Sequence, residues 1–378
     1  MLKRASLAAV VCLAASALLP AFASSDLLVY FGTYTGAVSK GIYVSRLHIE
    51  SDAMGASEPQ LAAAAENPSF LATAGNGAYL YAVNEVAAGT VTAFGVDKQS
   101  GKLTELNRQS TRGADPAHVS VDRSGRTVFV ANYTGGSVAA FPIDKDGRLG
   151  SASSFFQHTG HSVNPERQAA PHAHQILVDP HDRFAYVADL GLDKILIYQF
   201  DAAKQALARA SPPSASLAPG AGPRHLAFDL AGHRVYVIDE LDCTIAAFNR
   251  DAGTGALTPF QTVSSLPPGE RIQKGYSTAE IEVAPSGKFL YGSNRGHDSI
   301  SVFAIDRFNG KLTFVANTPT GGKTPRGFGI TPDGRLLVAA NQNSDLVTFF
   351  LINAASGKLT PLATSVKVGK PVDVKFVE

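Results

Sequence analysis

Along most of this chain, short apolar runs recur, each closed by a cluster of polar turn formers. Residues 115–144 (DPAHVSVDRSGRTVFVANYTGGSVAAFPID) show the pattern most plainly. Residues 118–121 are predicted as a first strand. Arg123, Ser124 and Gly125 form a turn, because Gly accepts the positive φ of a tight hairpin. Residues 127–131 are apolar throughout, as suits a strand buried on both faces. Residues 132–136 are turn formers, and 137–143 are a third strand.

The same sentence returns five more times, opening at Pro68, Ala173, Pro223, Thr278 and Pro325. A spacing of about 50 residues is the period of propeller blades. A G-K-L-T turn at 101–104, 310–313 and 357–360 leads into a fourth, outer strand. A seventh copy is split: 27–34 matches the second strand, 41–49 the third and 60–65 the fourth. Its missing first strand is 371–377, at the far end of the chain. The prediction is an all-β fold, a seven-bladed β-propeller of four-stranded antiparallel blades. The N- and C-terminal strands close it by pairing, which protects the edges that an open array would leave. A β-sandwich pair explains neither the fixed period nor the split copy.

Residues 1–23 stand outside this pattern. Lys3 and Arg4 precede an apolar run, and Ala21-Phe22-Ala23 is an A-x-A cleavage signal. The run is short for a membrane span, which needs about 20 apolar residues. Cys12 lacks the small residues of a lipidation box before it. The expectation is a signal peptide cut before Ser24, export to the periplasm or beyond, and one domain over 24–378. Removing Lys3 and Arg4 takes the net charge from +1 to −1. That balance gives no electrostatic reason to expect nucleic acid or an anionic membrane as partner. Only Cys243 follows the leader, so an internal disulfide is excluded. The absence of Trp argues against the WD repeat class.

Two insertions, 158–171 and 266–277, lie between an outer strand and the next inner strand. They are expected on one face of the disc, as walls or lids of a pocket. Residues 211–223, rich in Pro, Ala and Ser, read as a linker.

Candidate chemistry comes from comparing equivalent positions of the repeats. Asn84, Asn132, Asp189, Asp239, Asn294 and Asn341 follow the second strand. A uniform Asn/Asp column reads as turn chemistry, with the side chain bonding nearby backbone. A Ca²⁺ ring along the channel is the alternative. The next column varies: Glu85, Tyr133, Leu190, Glu240, Arg295, Gln342. The start of the first strand also varies, as Ser69, Ala117, His174, Arg224, Ala279, Arg326 and then Phe70, His118, Gln175, His225, Glu280, Gly327. A shared turn cannot explain acids, imidazoles and guanidiniums at equivalent places. Converging near a channel, they mark a site, and they suit acid–base chemistry on an anionic substrate. P-loop, zinc-spacing, dinucleotide and G-x-S-x-G signatures are absent from the sequence.

At these residues the chain resembles the propeller lactonase family, which includes the propeller-type 6-phosphogluconolactonases and the fungal carboxy-muconate lactonizing enzyme. The motifs are F-G-T-Y-T at 31–35, A-N-Y-T-G-G-S-V at 131–138, P-H-A-H at 171–174 and D-L-G-L-D at 189–193. G-P-R-H-L-A-F at 222–228, E-L-D at 240–242, A-E-I at 279–281 and N-R-G-H-D-S-I at 294–300 continue them. The resemblance implies a lactonase acting on a small anionic sugar lactone by general acid–base catalysis, without metal or other cofactor. It implies catalytic roles for Glu240, His174, Arg224 and Arg295. His172, His118, His225, Glu280 and His297 are expected around the substrate. An exported protein would not meet cytosolic 6-phosphogluconolactone, so lactone chemistry is the firmer implication. A muconate-type cycloisomerase and a non-catalytic propeller that binds a glycan or partner protein remain alternatives. The expected assembly is a monomer, and its expected partner is a small-molecule lactone.

Overall fold

The computed structural model describes residues 25–49 and 54–377. The leader expected over 1–23 lies outside them. Seven antiparallel sheets form a closed ring, with their inner strands as neighbours around a central channel. Blade one joins Pro371–Val377 to Ser25–Thr33 and then Gly41–Ile49. Its outer edge is in two pieces, Met54–Ala56 and the expected Gln60–Ala64. The terminal pairing runs from Leu28 opposite Val377 to Thr33 opposite Pro371.

Blade two is Leu71–Ala74, Tyr79–Asn84, Thr90–Val96 and Leu103–Ser110. Blade three is Pro116–Val121, Thr127–Asn132, Ser137–Pro142 and Ser154–Gln157. Blade four is Ala173–Val178, Phe184–Asp189, Lys194–Asp201 and Ala206–Ser216. Blade five is Pro223–Phe228, Arg234–Asp239, Thr244–Arg250 and Leu257–Ser264. Blade six is Ser277–Val283, Phe289–Arg295, Ser299–Ile305 and Leu312–Pro319. Blade seven is Pro325–Ile330, Leu336–Asn341, Leu346–Ile352 and Leu359–Lys367. The linker expected over 211–223 is therefore partly strand. A bulge opposite Ile197 absorbs Pro212 and Pro213, and an outer edge strand has no outward ladder for Pro to break.

Apolar residues fall into seven clusters, one at each seam between adjacent blades. This explains the uninterrupted apolar second strands. In blade two, Leu80 and Ala82 enter the seam with blade one, while Tyr81 and Val83 enter the seam with blade three. A period of two serves two cores. Polar locks cross five seams. The hydroxyls of Tyr30, Tyr81, Tyr186, Tyr236 and Tyr291 donate to the carbonyls of Gly101, Gly147, Gly255, Gly310 and Gly357 in the following blade, at 2.8–3.0 Å. These glycines turn into the outer strands. Gly357 has φ +71°, and a Cβ there would lie 2.4 Å from the Phe289 ring.

Two features aim side chains at the channel. A β-bulge interrupts the inner ladder of six blades, at Ala117, His174, Arg224, the Ala279–Glu280 pair, Arg326 and Val372. A bulge frees a side chain from strict alternation. In addition, side chains satisfy inner-strand backbone across seams. Gln175 accepts from Leu226 N, Glu282 from Ile330 N and Asp373 from Leu71 N, while the Ser120 hydroxyl donates to the Ile176 carbonyl.

The Asn/Asp column behaves as turn chemistry. Asn84, Asn132 and Asn294 donate to the carbonyls of Glu66, Thr111 and Ser265, where the preceding blade ends.

Deleting residues 371–378 removes the inner strand of blade one and opens two seams. Urea unfolding followed by circular dichroism is expected to lose its single cooperative transition. An unchanged transition would contradict ring closure.

Candidate active site

First strands begin and second strands end on one face of the disc, called the top here. At this mouth lies a cavity of about 270 Å³, lined by Glu85, Ala117, Tyr133, Arg167, His174, Glu240, Ser277, Arg295 and Arg326. His174 and Arg326 are bulge residues. Glu85, Tyr133, Glu240 and Arg295 follow the Asn/Asp turns. Arg167 and Ser277 come from the two insertions, which do form walls of this pocket.

Glu240 organises the charges. Its Oε2 accepts from Arg224 Nε at 3.1 Å and pairs with an Arg295 terminal nitrogen at 2.8 Å, while its Oε1 pairs with Arg167 at 2.5 Å. Burial pushes the Glu240 carboxyl up, but Arg295, Arg224 and Arg167 together outweigh burial and hold it well below the usual carboxylate range. Each guanidinium is further fixed. Arg224 donates to the Ala279 carbonyl at 2.6 Å, Arg295 to the Thr278 carbonyl at 2.7 Å, and Arg167 to the Tyr133 hydroxyl at 3.3 Å. Arg326 approaches from blade seven. It donates to the Tyr34 hydroxyl at 2.9 Å, and that hydroxyl donates to Glu85 at 2.8 Å.

Arg224 is only 2% exposed. Burial first, then the neighbouring Arg326 and Arg295, pull its pKa down. Four guanidiniums face two carboxylates in this region, which leaves two positive charges at a partly desolvated mouth. Such a cavity favours an anion, since fixed charges there are screened less than in water.

Buried side-chain hydrogen bonds clamp the 158–171 insertion. Gln168 is buried, donating to the Leu190 carbonyl and to Asp193, while its side-chain oxygen accepts from Asn164 N. Asp193 also accepts from Ser162, Gly220 N and Gly222 N. Arg167 therefore sits on a clamped loop. Sequence reading missed Arg167, Arg326 and Tyr34 as site residues. The signals were the single arginine of the insertion, a member of the varying inner column, and the Tyr of F-G-T-Y-T.

His174 lines the cavity, and its Nδ1 has no protein partner. Burial, then Arg224, His225, Arg326 and Arg295, push its pKa well below the usual histidine value, so the ring is neutral at pH 7. His172 lies behind, stacked on Tyr133 at 4.6 Å with Nδ1 3.1 Å from the Tyr133 carbonyl. His118 and His225 plug the channel below, in a ring cluster with Phe70 and His174. His225 Nδ1 meets Glu280 at 2.9 Å. His118 and Glu280 face a separate cavity of about 440 Å³ toward the other mouth. His297 sits on the rim, 3.2 Å from Glu270 of the second insertion. The structure thus gathers Glu240, His174 and Arg295 at one cavity with Arg224 directly beneath. It sets His172, His118, His225, Glu280 and His297 outside that lining.

A closed seven-bladed propeller with a cationic pocket at one channel mouth defines the class. The family model described as "Lactonase, 7-bladed beta-propeller" matches residues 28–376, and the chain belongs to that family. A 6-phosphogluconolactonase of Bacillus subtilis is 40% identical over 300 residues, covering 79% of this chain and 83% of that one. A 6-phosphogluconolactonase of Formosa agariphila is 34% identical over 270 residues, covering 70% and 75%. Among solved structures, the periplasmic gluconolactonase of Pseudomonas aeruginosa superposes with a TM-score of 0.87 at 33% identity, covering 94% of this chain and 99% of that one. No helix among the described residues is long and apolar enough to cross a membrane.

Because the folded-state pKa of Glu240 is depressed, its ionised pairing stabilises the protein above the unfolded value of about 4.3 and fades as pH falls below it. E240Q leaves three guanidiniums without their carboxylate and is expected to cost about 3–5 kcal/mol at neutral pH. Urea denaturation across the acid range should show the gap to wild type narrowing from about pH 5 to about pH 3. A gap constant across that range would contradict the pairing.

Proposed function

We propose that the protein is a lactonase that opens a small anionic sugar lactone with water in the top cavity. The observation that carries this reading is the excess of two positive charges around a cavity whose lining includes the neutral imidazole of His174. Family membership supports the reaction type, and the names of the relatives support a sugar-derived substrate.

In the proposed reaction, the substrate anion sits against Arg326 and Arg167 near the open rim. Arg295, with Arg224 behind it, faces the lactone carbonyl. The His174 imidazole takes a proton from water as the water oxygen bonds to the carbonyl carbon. Negative charge develops on the carbonyl oxygen, where a preorganised guanidinium lowers the barrier. Collapse breaks the bond to the ring oxygen, and the imidazolium returns the proton to that leaving oxygen. The product is an open-chain hydroxy acid, which ionises to a carboxylate. Glu240 is too acidic in this setting to be the base. Its proposed role is to hold three guanidiniums in place. A lactone is an activated ester, so these steps invoke no metal.

The proposed site residues are thus His174, Arg224, Arg295 and Glu240, joined by Arg167 and Arg326. The 1–23 leader and its A-x-A signal support export with cleavage before Ser24, and a structural relative named as periplasmic is consistent with it. An exported enzyme would meet aldonolactones outside the cytosol. N-terminal mass spectrometry of exported protein should read Ser24 first. An intact Met1 in a cytosolic protein would instead favour the phosphorylated substrate.

A pH-stat panel of aldonolactones, with and without a phosphate or carboxylate group, tests the activity itself. No turnover on any of them would contradict the proposal. On the best substrate, Arg295→Lys keeps the charge but loses the planar two-point grip. It is expected to lower kcat/KM by about 30- to 1,000-fold, or about 2–4 kcal/mol. Full activity would remove Arg295 from the mechanism. Arg224→Lys is expected to lower stability as well, because that side chain is buried between Glu240 and the Ala279 carbonyl.

The pKa of His174 is depressed, so it stays a free base well below the ordinary value of about 6.5. The enzymatic rate, corrected for spontaneous hydrolysis, should hold its plateau through that pH and fall only in more acidic solution. A midpoint near 6.5 would point to a different, more exposed histidine.

A further inference from the structure

Glu240 and Glu85 hold the same repeat position, just after a second strand, yet their surroundings differ. Glu240 meets three guanidiniums. Glu85 lines the same cavity, and no Lys, Arg or His of the described residues lies within salt-bridge distance of it. Its one side-chain donor among the described residues is the Tyr34 hydroxyl, 2.9 Å from Oε1 and 2.8 Å from Oε2. That hydroxyl has a single proton, whereas the two oxygens of a carboxylate offer about four acceptor sites. Most of the acceptor capacity of Glu85 is therefore unspent. The residue is nevertheless fixed. Asn67 Nδ2 donates to the Glu85 carbonyl at 3.2 Å, and Glu85 N donates to the Asn67 carbonyl at 3.0 Å. Asn67 Oδ1 also accepts from Thr35 N at 2.9 Å, which ties the chain carrying Tyr34 to the chain carrying Glu85. Tyr34 in turn accepts from Arg326.

A carboxylate placed in this way, in a cavity that favours an anion, works against that anion unless another part of the ligand satisfies it. Hydroxyl groups do so. They are neutral donors, and an O–H bond to a carboxylate is charge-assisted and short. Neighbouring hydroxyls of one ring can each take one of the two oxygens. We propose that Glu85 is a specificity-determining residue of the top cavity: it accepts hydrogen bonds from the hydroxyls of a polyhydroxylated lactone and selects it over an unsubstituted lactone of the same ring size. This rests on the lactonase reading above. The arginines take the anion and the carbonyl, and Glu85 takes the hydroxyls. A lactone without hydroxyls displaces water from the carboxylate and returns no donor, and that unpaired acceptor is the source of the discrimination.

The test is the ratio of kcat/KM for the best aldonolactone of the panel to kcat/KM for the unsubstituted lactone of the same ring, δ-valerolactone or γ-butyrolactone. Wild type is expected to prefer the aldonolactone. Glu85→Gln keeps the shape but loses the charge and one acceptor, and the ratio should fall by about 10- to 100-fold. Because both substrates meet the same protein, a general loss of folded enzyme cancels in the ratio. An equal loss on both lactones, as expected of a group that serves the chemistry or the fold, would overturn the proposal, as would a wild type without preference. Should Glu85→Gln fail to fold, Tyr34→Phe removes the hydroxyl that fixes the carboxylate; a lowered ratio supports the proposal and an unchanged ratio overturns it. If wild type opens neither lactone, the lactonase reading fails, and the hydroxyl contact is judged separately by calorimetry with gluconate and hexanoate, which need no turnover. Tighter binding of gluconate by wild type, lost in Glu85→Gln, upholds the role of Glu85. Equal binding of the two ligands, no binding of gluconate, or a preference that survives in Glu85→Gln overturns it.

Discussion

Ring closure is the constraint from which the rest follows. A blade alone has two sticky faces and two edges. Stacked radially, each blade buries both faces in seams, but the inner edges crowd together around the channel with unpaired backbone groups. Those groups must be satisfied where water is scarce. Gln175, Glu282, Asp373 and Ser120 reach across seams to meet this demand. The channel is therefore polar for structural reasons before any function is considered. The bulges at the top of the inner strands then give six blades a residue that is free to vary, because it carries no ladder duty.

Function occupies that freedom unevenly. Blades four, five and seven place His174, Arg224 and Arg326 at the bulge, while blade three has Ala117 and blade one Val372. Small residues on one side leave the volume, and cationic ones on the other supply the field. Glu240 reconciles the arginines with one another. Without it, Arg167, Arg224 and Arg295 would repel; with it, they are positioned while a net positive charge remains for an anion. In the proposed mechanism the same carboxylate that makes the cluster stable is too acidic to accept the proton, and His174 takes that role.

The architecture was legible because it is repeated. Six in-register copies and a split seventh fix blade number and closure without reference to any contact. Turn glycines and the Asn/Asp column were legible for the same reason. The site was legible only where the repeat is broken. His174, Arg224, Glu240 and Arg295 stood out as polar groups in columns that change from blade to blade. Arg167 did not, because its place depends on Asp193, Gln168 and Asn164 clamping an insertion that has no repeat counterpart. Direction was the other loss. His118 and His225 sit one residue beyond the bulge and Glu280 at the equivalent position of blade six, and that single step carries them down the channel, out of the top cavity. Residues 211–216 read as linker because two prolines suggest irregular chain, yet an outer strand tolerates them opposite a bulge.

The central claim is that the cationic top cavity receives an anionic lactone with its carbonyl turned toward the arginines. A crystal structure of the protein with a phosphorylated or carboxylated aldonolactam, in which the ring amide resists hydrolysis, measures this directly. The account expects the ligand at the top mouth, its anion against Arg326 and Arg167, and its carbonyl oxygen within hydrogen-bonding distance of Arg295 with His174 beside the carbonyl carbon. A ligand bound instead in the cavity lined by His118, Glu280 and Lys375, or a top cavity left unfilled at saturating lactam, would contradict it.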